Sequence, residues 1–413
     1  MNAGTQGAPA LDVAATALPA PGTWLGAPPA PPTSVAVIES LATGSPAQTY
    51  GQAESADRVA ARFDDPKQAE RIRRVYAKTR VAERHLVIDP LTPEFAEFST
   101  RPDTVRERMD LFYEHAAPLA IDTARRALGV GTEHAVAPED VGQLVFVTST
   151  GFLAPGVDVA VIRALGLAPQ TSRVVINFMG CAAAMNALRV STDYVRAHPD
   201  RKSLMICLEL SSVNAVFSGD PNDVVISSLF ADGCGAAVIG ASEVGHPLPG
   251  GRIVVRDTFT HLLDGAEDGI VLGVNANGIT CELAESLPQY IVNGVAPVID
   301  EVLDRNGLGR EAIAHWAIHP GGPKIIESAS AALGLPDEAS RTSWDVLAEH
   351  GNMLSVSLLF VLERLLAQVG SDGAAPTPGA PSTGMAFSFA PGVTVEGFLF
   401  DVVRDDPTAP SGE

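Results

Sequence analysis

One stretch of the chain, residues 173–189, constrains the fold more than any other. It reads Arg-Val-Val-Ile-Asn-Phe-Met-Gly-Cys-Ala-Ala-Ala-Met-Asn-Ala-Leu-Arg. Residues 174–179 are apolar and rich in β-branched side chains, a composition that predicts a buried strand. The alanine-rich residues 182–198 predict a helix, which Pro199 ends. The two together indicate a strand that turns directly into a helix.

Gly180 and Cys181 fill the turn between that strand and that helix. The turn places one thiol at a helix N-terminus, where unpaired backbone N–H groups and the helix dipole favour a thiolate. This arrangement indicates a nucleophilic cysteine. The alternative is a structural cysteine, because free cysteines in proteins are usually buried. This one turn does not decide between the two interpretations.

The rest of the chain alternates strand-like and helix-like segments, which predicts a layered α/β fold. Its 413 residues exceed the ~250–300 at which a single core stops growing, so we expect one large domain or two that share a core. A Gly/Pro-rich turn at 246–251 marks the boundary between the halves. The predicted segments are strands at 34–38, 141–147, 202–210 and 253–259, helices at 104–128, 157–166 and 288–305, a strand–turn–helix unit at 316–326, a helix that ends near 366, a loose loop at 371–384 and a hairpin at 385–400.

The chain is strongly acidic, with a formal net charge of −21. This charge argues against nucleic acid or an anionic membrane as a general partner, because both attract basic surfaces. No apolar run approaches the ~20 residues that a membrane span needs. The four cysteines form neither a CxxC pair nor a metal-ligand spacing with histidine, which fits a reducing compartment. We therefore expect a cytoplasmic protein without a membrane span.

Both ends of the chain differ in composition from the rest. Residues 1–33 hold seven prolines among alanines and glycines, a composition that predicts a disordered leader. The first basic residue is Arg58, so neither a secretory signal nor an Arg-rich transit peptide is expected. Residues 405–413 are predicted to be an acidic tail.

A basic run lies at residues 67–84, which hold seven of the 28 lysines and arginines. Arg71, Arg74 and Lys78 recur at the spacing of one helix face. A charge run is usually a solvated face. In so acidic a chain, however, a local basic stripe also suits a phosphorylated ligand, and both interpretations stay open.

Three polar residues lie at the ends of apolar segments: Cys181, His319 and Asn352. His319 closes a predicted strand just before Pro-Gly-Gly-Pro, which cannot extend a sheet. Asn352 follows a glycine and precedes an apolar helix, a position that suits a helix cap. Each residue alone has an ordinary structural explanation. Together they supply a nucleophile, a base and an amide donor, the set that acyl transfer requires.

Several ordered motifs carry a family resemblance. They are Gly180-Cys181-Ala182 with its helix, Ser228-Leu-Phe-Ala-Asp-Gly233, Ile318-His-Pro-Gly-Gly-Pro323, His350-Gly-Asn-Met353 and Pro391-Gly-Val-Thr-Val-Glu396. With these motifs, residues 34–404 resemble the type III polyketide synthases of the chalcone and stilbene synthase family. The bacterial members that form alkylpyrones are the most similar in character.

The resemblance implies a thiolase-like α/β fold with five αβαβα layers and two related halves. Residues 34–250 would form the half with the cysteine, and residues 251–404 the half with the histidine and the asparagine. It further implies a homodimer that needs no metal or organic cofactor. The substrates would be coenzyme A thioesters, an acyl-CoA starter and malonyl-CoA, and the products pyrone or resorcinol-type rings.

The resemblance also assigns roles to residues. Cys181 would take the starter acyl group, and His319 would form the ion pair that keeps the thiolate. His319 and Asn352 would hold the thioester oxygen while malonyl-CoA loses CO2, and Phe230 would be the gatekeeper between the coenzyme A tunnel and the cavity. The residues at the family's coenzyme A phosphate site are Arg71, Arg74 and Lys78.

The chain departs from the family pattern in its pocket. The loop that is usually Gly-Phe-Gly-Pro-Gly reads Ser-Phe-Ala-Pro-Gly at 388–392. Leu272, Cys281 and Asn214 replace a glycine, a phenylalanine and a threonine of the plant members, which argues against an aromatic starter. Small residues stand where alkylpyrone-forming members open a tunnel, so we expect a fatty acyl-CoA starter; these residues are Thr150, Ala154 and Ser211.

Three alternatives remain. A β-ketoacyl-carrier-protein synthase III or a hydroxymethylglutaryl-CoA synthase would also carry a cysteine at this turn. A papain-like hydrolase would place its histidine ~130–150 residues beyond the cysteine, as His319 is, but Asn352 lies too far along the chain. A catalytically inactive partner subunit is the non-enzymatic alternative, which the presence of all three site residues disfavours.

Overall fold

The computed structural model describes residues 34–217, 220–371 and 382–403. Most of the predicted segments have their expected type, with somewhat different ends. The strands are β1 (Ser34–Gly44), β2 (Thr49–Gly51), β3 (Glu83–His85), β4 (Val141–Thr148), β5 (Ser172–Asn177), β6 (Lys202–Leu210), β7 (Asp232–Glu243), β8 (Arg252–Leu262), β9 (Ile270–Asn275), β10 (Gly278–Leu283), β11 (His315–Ile318), β12 (Ser382–Ala390) and β13 (Thr394–Val403).

The helices begin and end near sequence signals that stop or start a helix. Proline opens α2, α3, α7 and α9, and a left-handed glycine follows α5 and α9. They are α1 (Gln52–Ala60), α2 (Pro66–Ala77), α3 (Pro93–Thr100), α4 (Val105–Ala127), α5 (Val157–Leu165), α6 (Ala183–Ala197), α7 (Pro221–Leu229), α8 (Leu287–Arg305), α9 (Pro323–Leu333), α10 (Arg341–His350) and α11 (Ser357–Ser371).

Nine of these strands form one mixed sheet in the order β11-β12-β13-β8-β1-β7-β6-β4-β5. The two halves of the chain meet where β1 pairs antiparallel with β8, with Ala36–Ile38 opposite Ile253–Val255. The first half contributes β1 and β4 to β7, and the second half contributes β8 and β11 to β13. Because the sheet is continuous, residues far apart in sequence end at the same edge.

Three apolar cores show that the fold has five layers. Helices α6 and α11 lie in one core between the two halves of the sheet. On the other face of the first half, α4 and α5 pack against β4, β6 and β7. On the other face of the second half, α8 and α9 pack against β8, β12 and β13. The expected thiolase-like αβαβα fold is thus confirmed.

Strand β5 is a strand, as predicted, but it is not buried. It lies at the end of the sheet and pairs with β4 alone among the described strands. Its side chains are exposed or half-buried, and Val175 keeps 49% of its surface accessible. The prediction of burial was wrong for a single chain, because a β-branched run indicates a strand without saying whether both of its faces are covered.

Parts of several predictions fall outside the described residues. These are the disordered leader at 1–33, most of the loop predicted at 371–384, and the tail at 405–413. The predicted boundary at 246–251 lies between β7 and β8, and the division into halves stays a prediction. Within the described ranges, no helix is both long and apolar enough to cross a membrane.

A buried carboxyl at the end of β6 joins three segments of the site described below. Glu209 is fully buried and accepts hydrogen bonds from the Ser149 N–H at 2.9 Å, the Thr150 hydroxyl at 2.9 Å and the Ser355 hydroxyl at 2.7 Å. Burial raises the pKa of Glu209 to about 7, although these hydrogen bonds act in the opposite direction. The carboxyl therefore holds the end of β4 against the segment that precedes α11.

Replacing Glu209 by glutamine should change how stability depends on pH. The pKa of this carboxyl rises from 4.5 to about 7 on folding, so between these values the folded state holds more protons and native stability falls as pH rises. Glutamine does not titrate. We expect the melting temperature of Glu209→Gln, relative to that of the native protein, to be higher at about pH 8 than at about pH 5.

Thermal unfolding followed by circular dichroism at both pH values measures this difference. The contributions of other titrating groups, including Asp232 and His319, are common to both proteins and cancel. Glu70→Gln, which changes an exposed carboxylate, is the matched control. A difference in melting temperature for Glu209→Gln that is independent of pH would contradict the prediction.

Candidate active site

The predicted turn around the cysteine is present, and it is tight. A short 3-10 turn at Gly180–Ala182 separates β5 from α6. Gly180 has a φ of +60°, and a Cβ built on it would lie 2.9 Å from the Cδ of Pro391. The Gly180 N–H donates to the Ser149 hydroxyl at 3.1 Å. Backbone conformation and space both require glycine here, and the turn fixes the place of Cys181.

His319 comes directly after β11, at the edge where that strand ends. Its backbone N–H donates to the Phe387 carbonyl at 3.0 Å, which continues the parallel pairing with β12 by one residue. The Gly321 N–H donates back to the His319 carbonyl at 2.9 Å. Because Gly322 has a φ of +147° and Pro323 begins α9, the chain leaves the sheet at once. The imidazole is thereby held at the strand end, as predicted.

Asn352 is held by backbone pairing with Phe230. The Asn352 N–H donates to the Leu229 carbonyl at 2.8 Å, and the Ala231 N–H donates to the Asn352 carbonyl at 2.9 Å. In the side chain, Nδ2 donates to the Gly321 carbonyl at 3.1 Å. The predicted cap is present, although it lies on a 3-10 turn at Leu354–Val356 that precedes α11: Asn352 Oδ1 accepts the Leu354 N–H at 2.9 Å.

These three side chains come together in one small pocket. Cys181, His319 and Asn352 line a pocket of about 40 Å³. They reach it from the turn before α6, the end of β11 and the segment before α11. The structure therefore places the predicted nucleophile, base and amide donor at a single site, although they lie far apart in the sequence.

Burial favours the uncharged forms of both the thiol and the imidazole. Apolar surroundings raise the pKa of the Cys181 thiol well above its usual range, against the lowering effect of a hydrogen bond with the Asn352 side chain. Burial lowers the pKa of His319 to about 3. Among the described residues, neither ring nitrogen of His319 has a hydrogen-bond partner. The thiolate and ion pair that the resemblance implies stay a prediction, and the burial of both groups acts against them.

A larger cavity adjoins the small pocket. Its volume is about 670 Å³, and both spaces share Phe230, Leu272 and Cys281 as lining residues. Phe230 therefore lines both spaces, and its role as a gatekeeper stays a prediction. The other predicted pocket residues that line the larger cavity are Thr150, Ser211 and Asn214.

Four of the predicted residues lie outside both spaces. Ala154 is exposed on the loop before α5 and does not line the cavity of its own chain. Its placement in the pocket was wrong for a single chain. The other three, whose contact with coenzyme A stays a prediction, are exposed on or directly after α2, away from the side on which Tyr76 lines the cavity; they are Arg71, Arg74 and Lys78.

Two buried ionisable residues near the site were not predicted from the sequence. Glu209 is a lone carboxylate in the otherwise apolar β6, and that contrast was a signal available in the sequence. Arg84 is 4% exposed and lines the larger cavity, but it belongs to the basic run at 67–84 and looked like one more surface cation. Periodicity alone could not separate it from its exposed neighbours.

Comparison with known proteins agrees with this geometry. The family model for the N-terminal domain of chalcone and stilbene synthases matches residues 32–243, and the model for the C-terminal domain matches residues 255–404. The chain is 60% identical over 377 residues to the alpha-pyrone synthesis polyketide synthase-like Pks18 of Mycobacterium tuberculosis, which covers 91% of this chain and 94% of that protein.

Two further proteins are similar over most of the chain. The 3,5-dihydroxyphenylacetyl-CoA synthase of Amycolatopsis balhimycina is 32% identical over 368 residues, 88% of this chain and 92% of that protein. The crystal structure of PKS-I from the brown alga Ectocarpus siliculosus superposes with a TM-score of 0.83 at 41% identity, covering 90% of this chain and 99% of that one.

The matched domains span both halves of the fold, and the motifs that suggested them converge on one pocket. The papain-like hydrolase considered from the sequence is thereby excluded. The chain belongs to the chalcone and stilbene synthase family and is a type III polyketide synthase, an enzyme that transfers acyl groups.

Proposed function

We propose that Cys181 carries the growing acyl chain, with His319 as its base and with His319 and Asn352 as donors to the reacting carbonyl oxygen. The observation that carries this proposal is the convergence of the three side chains on one pocket of about 40 Å³ beside a cavity of about 670 Å³. Nucleophile, base and donors adjacent to a space for the product are what repeated acyl transfer needs.

Loading of the starter follows from the uncharged state of the pair. As the Cys181 sulfur attacks the thioester carbonyl of an acyl-CoA, its proton moves to a ring nitrogen of His319, which is neutral and has room to accept it. The carbon–sulfur bond to coenzyme A then breaks, and the departing thiolate takes that proton. In this proposal the base acts during the attack, whether or not an ion pair exists beforehand.

Extension uses the same donors. When malonyl-CoA loses CO2, the electron pair of the broken carbon–carbon bond becomes an enolate whose oxygen accepts hydrogen bonds from Asn352 and His319. The enolate carbon attacks the acyl carbonyl on Cys181, and the thiolate leaves. Among the described residues that line the small pocket, none is a carboxylate that would oppose this charge. Because the substrates are already activated thioesters, no metal or organic cofactor is required.

The shape of the larger cavity favours a long, flexible starter. The side chains at Thr150 and Ser211 on its wall are small, and no aromatic residue stands at Cys281. A fatty acyl chain fits such a space better than a rigid aromatic ring. The 60% identical relative is named for alpha-pyrone synthesis, so we propose that a poly-β-keto chain closes through an enol oxygen to an alkylpyrone.

We also propose a homodimer that forms along β5. This strand lies at the end of the sheet with one side unpaired among the described strands, and Val175 and Leu153 are exposed beside it. An unpaired apolar edge is a site for strand pairing. A second copy related by a two-fold axis would cover both edges at once. The cytoplasmic location and the coenzyme A contact of α2 stay predictions.

Removing either the nucleophile or the donor should have distinct effects. We expect Cys181→Ala to abolish the covalent acyl-enzyme while CO2 release from malonyl-CoA continues. We expect Asn352→Ala to lower CO2 release by ~10²–10³-fold, because an oxyanion donor is lost. Mass spectrometry of the protein and a CO2 assay measure the two steps. Cys207→Ala and Asn293→Ala are matched controls outside both spaces, and unchanged CO2 release in Asn352→Ala would contradict the assignment.

A larger side chain at position 211 should shorten the preferred starter. The Ser211 hydroxyl is buried without a hydrogen-bond partner among the described residues, so its replacement breaks no contact. We expect Ser211→Phe to shift turnover toward shorter acyl-CoAs, whereas Ser211→Ala keeps the native profile. Mass spectrometry of products from a panel of acyl-CoAs with malonyl-CoA measures this. Native turnover with malonyl-CoA alone that equals the best starter would remove the fatty acyl proposal.

A charge on the free edge should prevent dimerisation. We expect Val175→Asp to convert the dimer to a monomer, because pairing across the edge would bury an unpaired carboxylate. Light scattering after size-exclusion chromatography gives the mass. Val244→Asp, which changes an equally exposed valine in the turn after β7, should leave the dimer intact. A native protein that is monomeric at micromolar concentration would refute this interface.

A further inference from the structure

We propose that Arg84 is a positioning residue that fixes Phe230 and Asn352 relative to each other and thereby sets the geometry of decarboxylation. This proposal rests on the roles proposed above for Asn352 and His319. It does not require Arg84 to contact the reacting atoms. Its guanidinium donates to the Phe230 carbonyl, and Arg84 lines the larger cavity.

Arg84 is buried and hydrogen-bonds to the C-terminal end of α7. It lies in the middle of β3, opposite Tyr50, and is 4% exposed. Its Nη1 donates to the carbonyls of both Ser227 and Phe230, the latter at 3.0 Å. Carbonyls at a helix end lack partners within the helix, so a single cation satisfies two of them and fixes where the chain leaves α7.

The surroundings of Arg84 are suited to a guanidinium and not to an ammonium. The guanidinium carbon lies 5.8 Å from the centre of the Tyr76 ring. Burial lowers the pKa of Arg84, and the Tyr76 hydroxyl and the Asp232 carboxyl act in the opposite direction. A planar, weakly hydrated cation tolerates this setting, whereas a lysine would bring a compact, strongly hydrated charge into it.

The backbone hydrogen bonds that pair Phe230 with Asn352 form an isolated bridge between two segments, called the bridge below. The aliphatic part of Arg84 packs on the Asn352 segment, at Gly351. A Cβ built on Gly351 would lie 2.9 Å from the Arg84 Cγ and 2.8 Å from the Leu229 carbonyl oxygen, and Gly351 has a φ of +70°. The next residue, Asn352, exchanges backbone hydrogen bonds with Leu229 and Ala231. Arg84 therefore contacts both chains of this bridge, one through its guanidinium and one through its stem.

The bridge continues through Gly321 to the His319 backbone, and it meets the thiol only through the Asn352 side chain. Asn352 Nδ2 donates to the Gly321 carbonyl, and the Gly321 N–H donates to the His319 carbonyl. The turn that carries Cys181 is held separately, by Ser149 and Pro391. A change at Arg84 should thus move the donors for the thioester oxygen and leave the nucleophile in place. A general loss of folding would instead affect both.

The test compares Arg84→Lys and Arg84→Met with the native full-length protein. Alkylation of Cys181 by iodoacetamide, followed by peptide mass mapping, reports on the nucleophile. Release of CO2 from malonyl-CoA, normalised to the fraction of Cys181 that can be alkylated, reports on the donors. We expect CO2 release to fall by ~10²-fold, the cost of a displacement of about 1 Å, with the fraction of Cys181 that is alkylated at completion within about twofold of native.

Arg58→Lys is the matched control, because Arg58 pairs with the cavity residue Asp89 but touches neither chain of the bridge. It should leave both readouts unchanged. If the Arg84 variants do not fold, Gly351→Ala displaces the same contact from the other side and should give the same signature.

Two results would overturn the proposal. Native CO2 release per reactive Cys181 in Arg84→Lys and Arg84→Met would show that the bridge does not need the guanidinium. An equal fall in alkylation and CO2 release would show a general structural role. Failure of the proposed function is recognised separately, since Asn352→Ala would then release CO2 at the native rate whatever the Arg84 variants do.

Discussion

The backbone pairing of Leu229 and Ala231 with Asn352 joins the two halves of this protein at the point where chemistry takes place. It is a bridge of two hydrogen bonds outside the main sheet, and it decides where the amide of Asn352 points. Through Gly321 the same bridge reaches the turn that holds His319. The fold brings the segments that carry Phe230, Asn352 and His319 to one edge of the sheet. The bridge then fixes the distances between these segments.

Burial at this edge has an electrostatic consequence. The apolar surroundings of Cys181 and His319 penalise charge on both, so burial favours the neutral thiol and the neutral imidazole. Charge on a reacting thioester oxygen would meet the donors proposed above. A buried carboxyl, Glu209, supports the surrounding segments from outside the small pocket, with a pKa raised to about 7.

The division of the interior into two spaces separates two tasks. The small pocket of about 40 Å³ is lined by the three proposed reacting residues, and the larger cavity of about 670 Å³ is where we propose that the acyl chain lies. Phe230 belongs to both walls and also to the bridge. Phe230 therefore links the proposed reacting groups to the shape of the cavity. Arg84, which binds the Phe230 carbonyl, can thus matter to the reaction without touching the reacting atoms.

The sequence by itself determined the alternation of elements, the glycine–cysteine turn, and the three polar residues at element ends, because local periodicity and turn chemistry encode these directly. It also carried the family motifs that the comparisons confirm. It did not indicate that one side of β5 is uncovered in a single chain or that burial would raise the pKa of Cys181, and it passed over Arg84 and Glu209. Those properties depend on which surfaces cover a residue and which groups face it, and contacts between segments more than a hundred residues apart are decided only when the chain has folded.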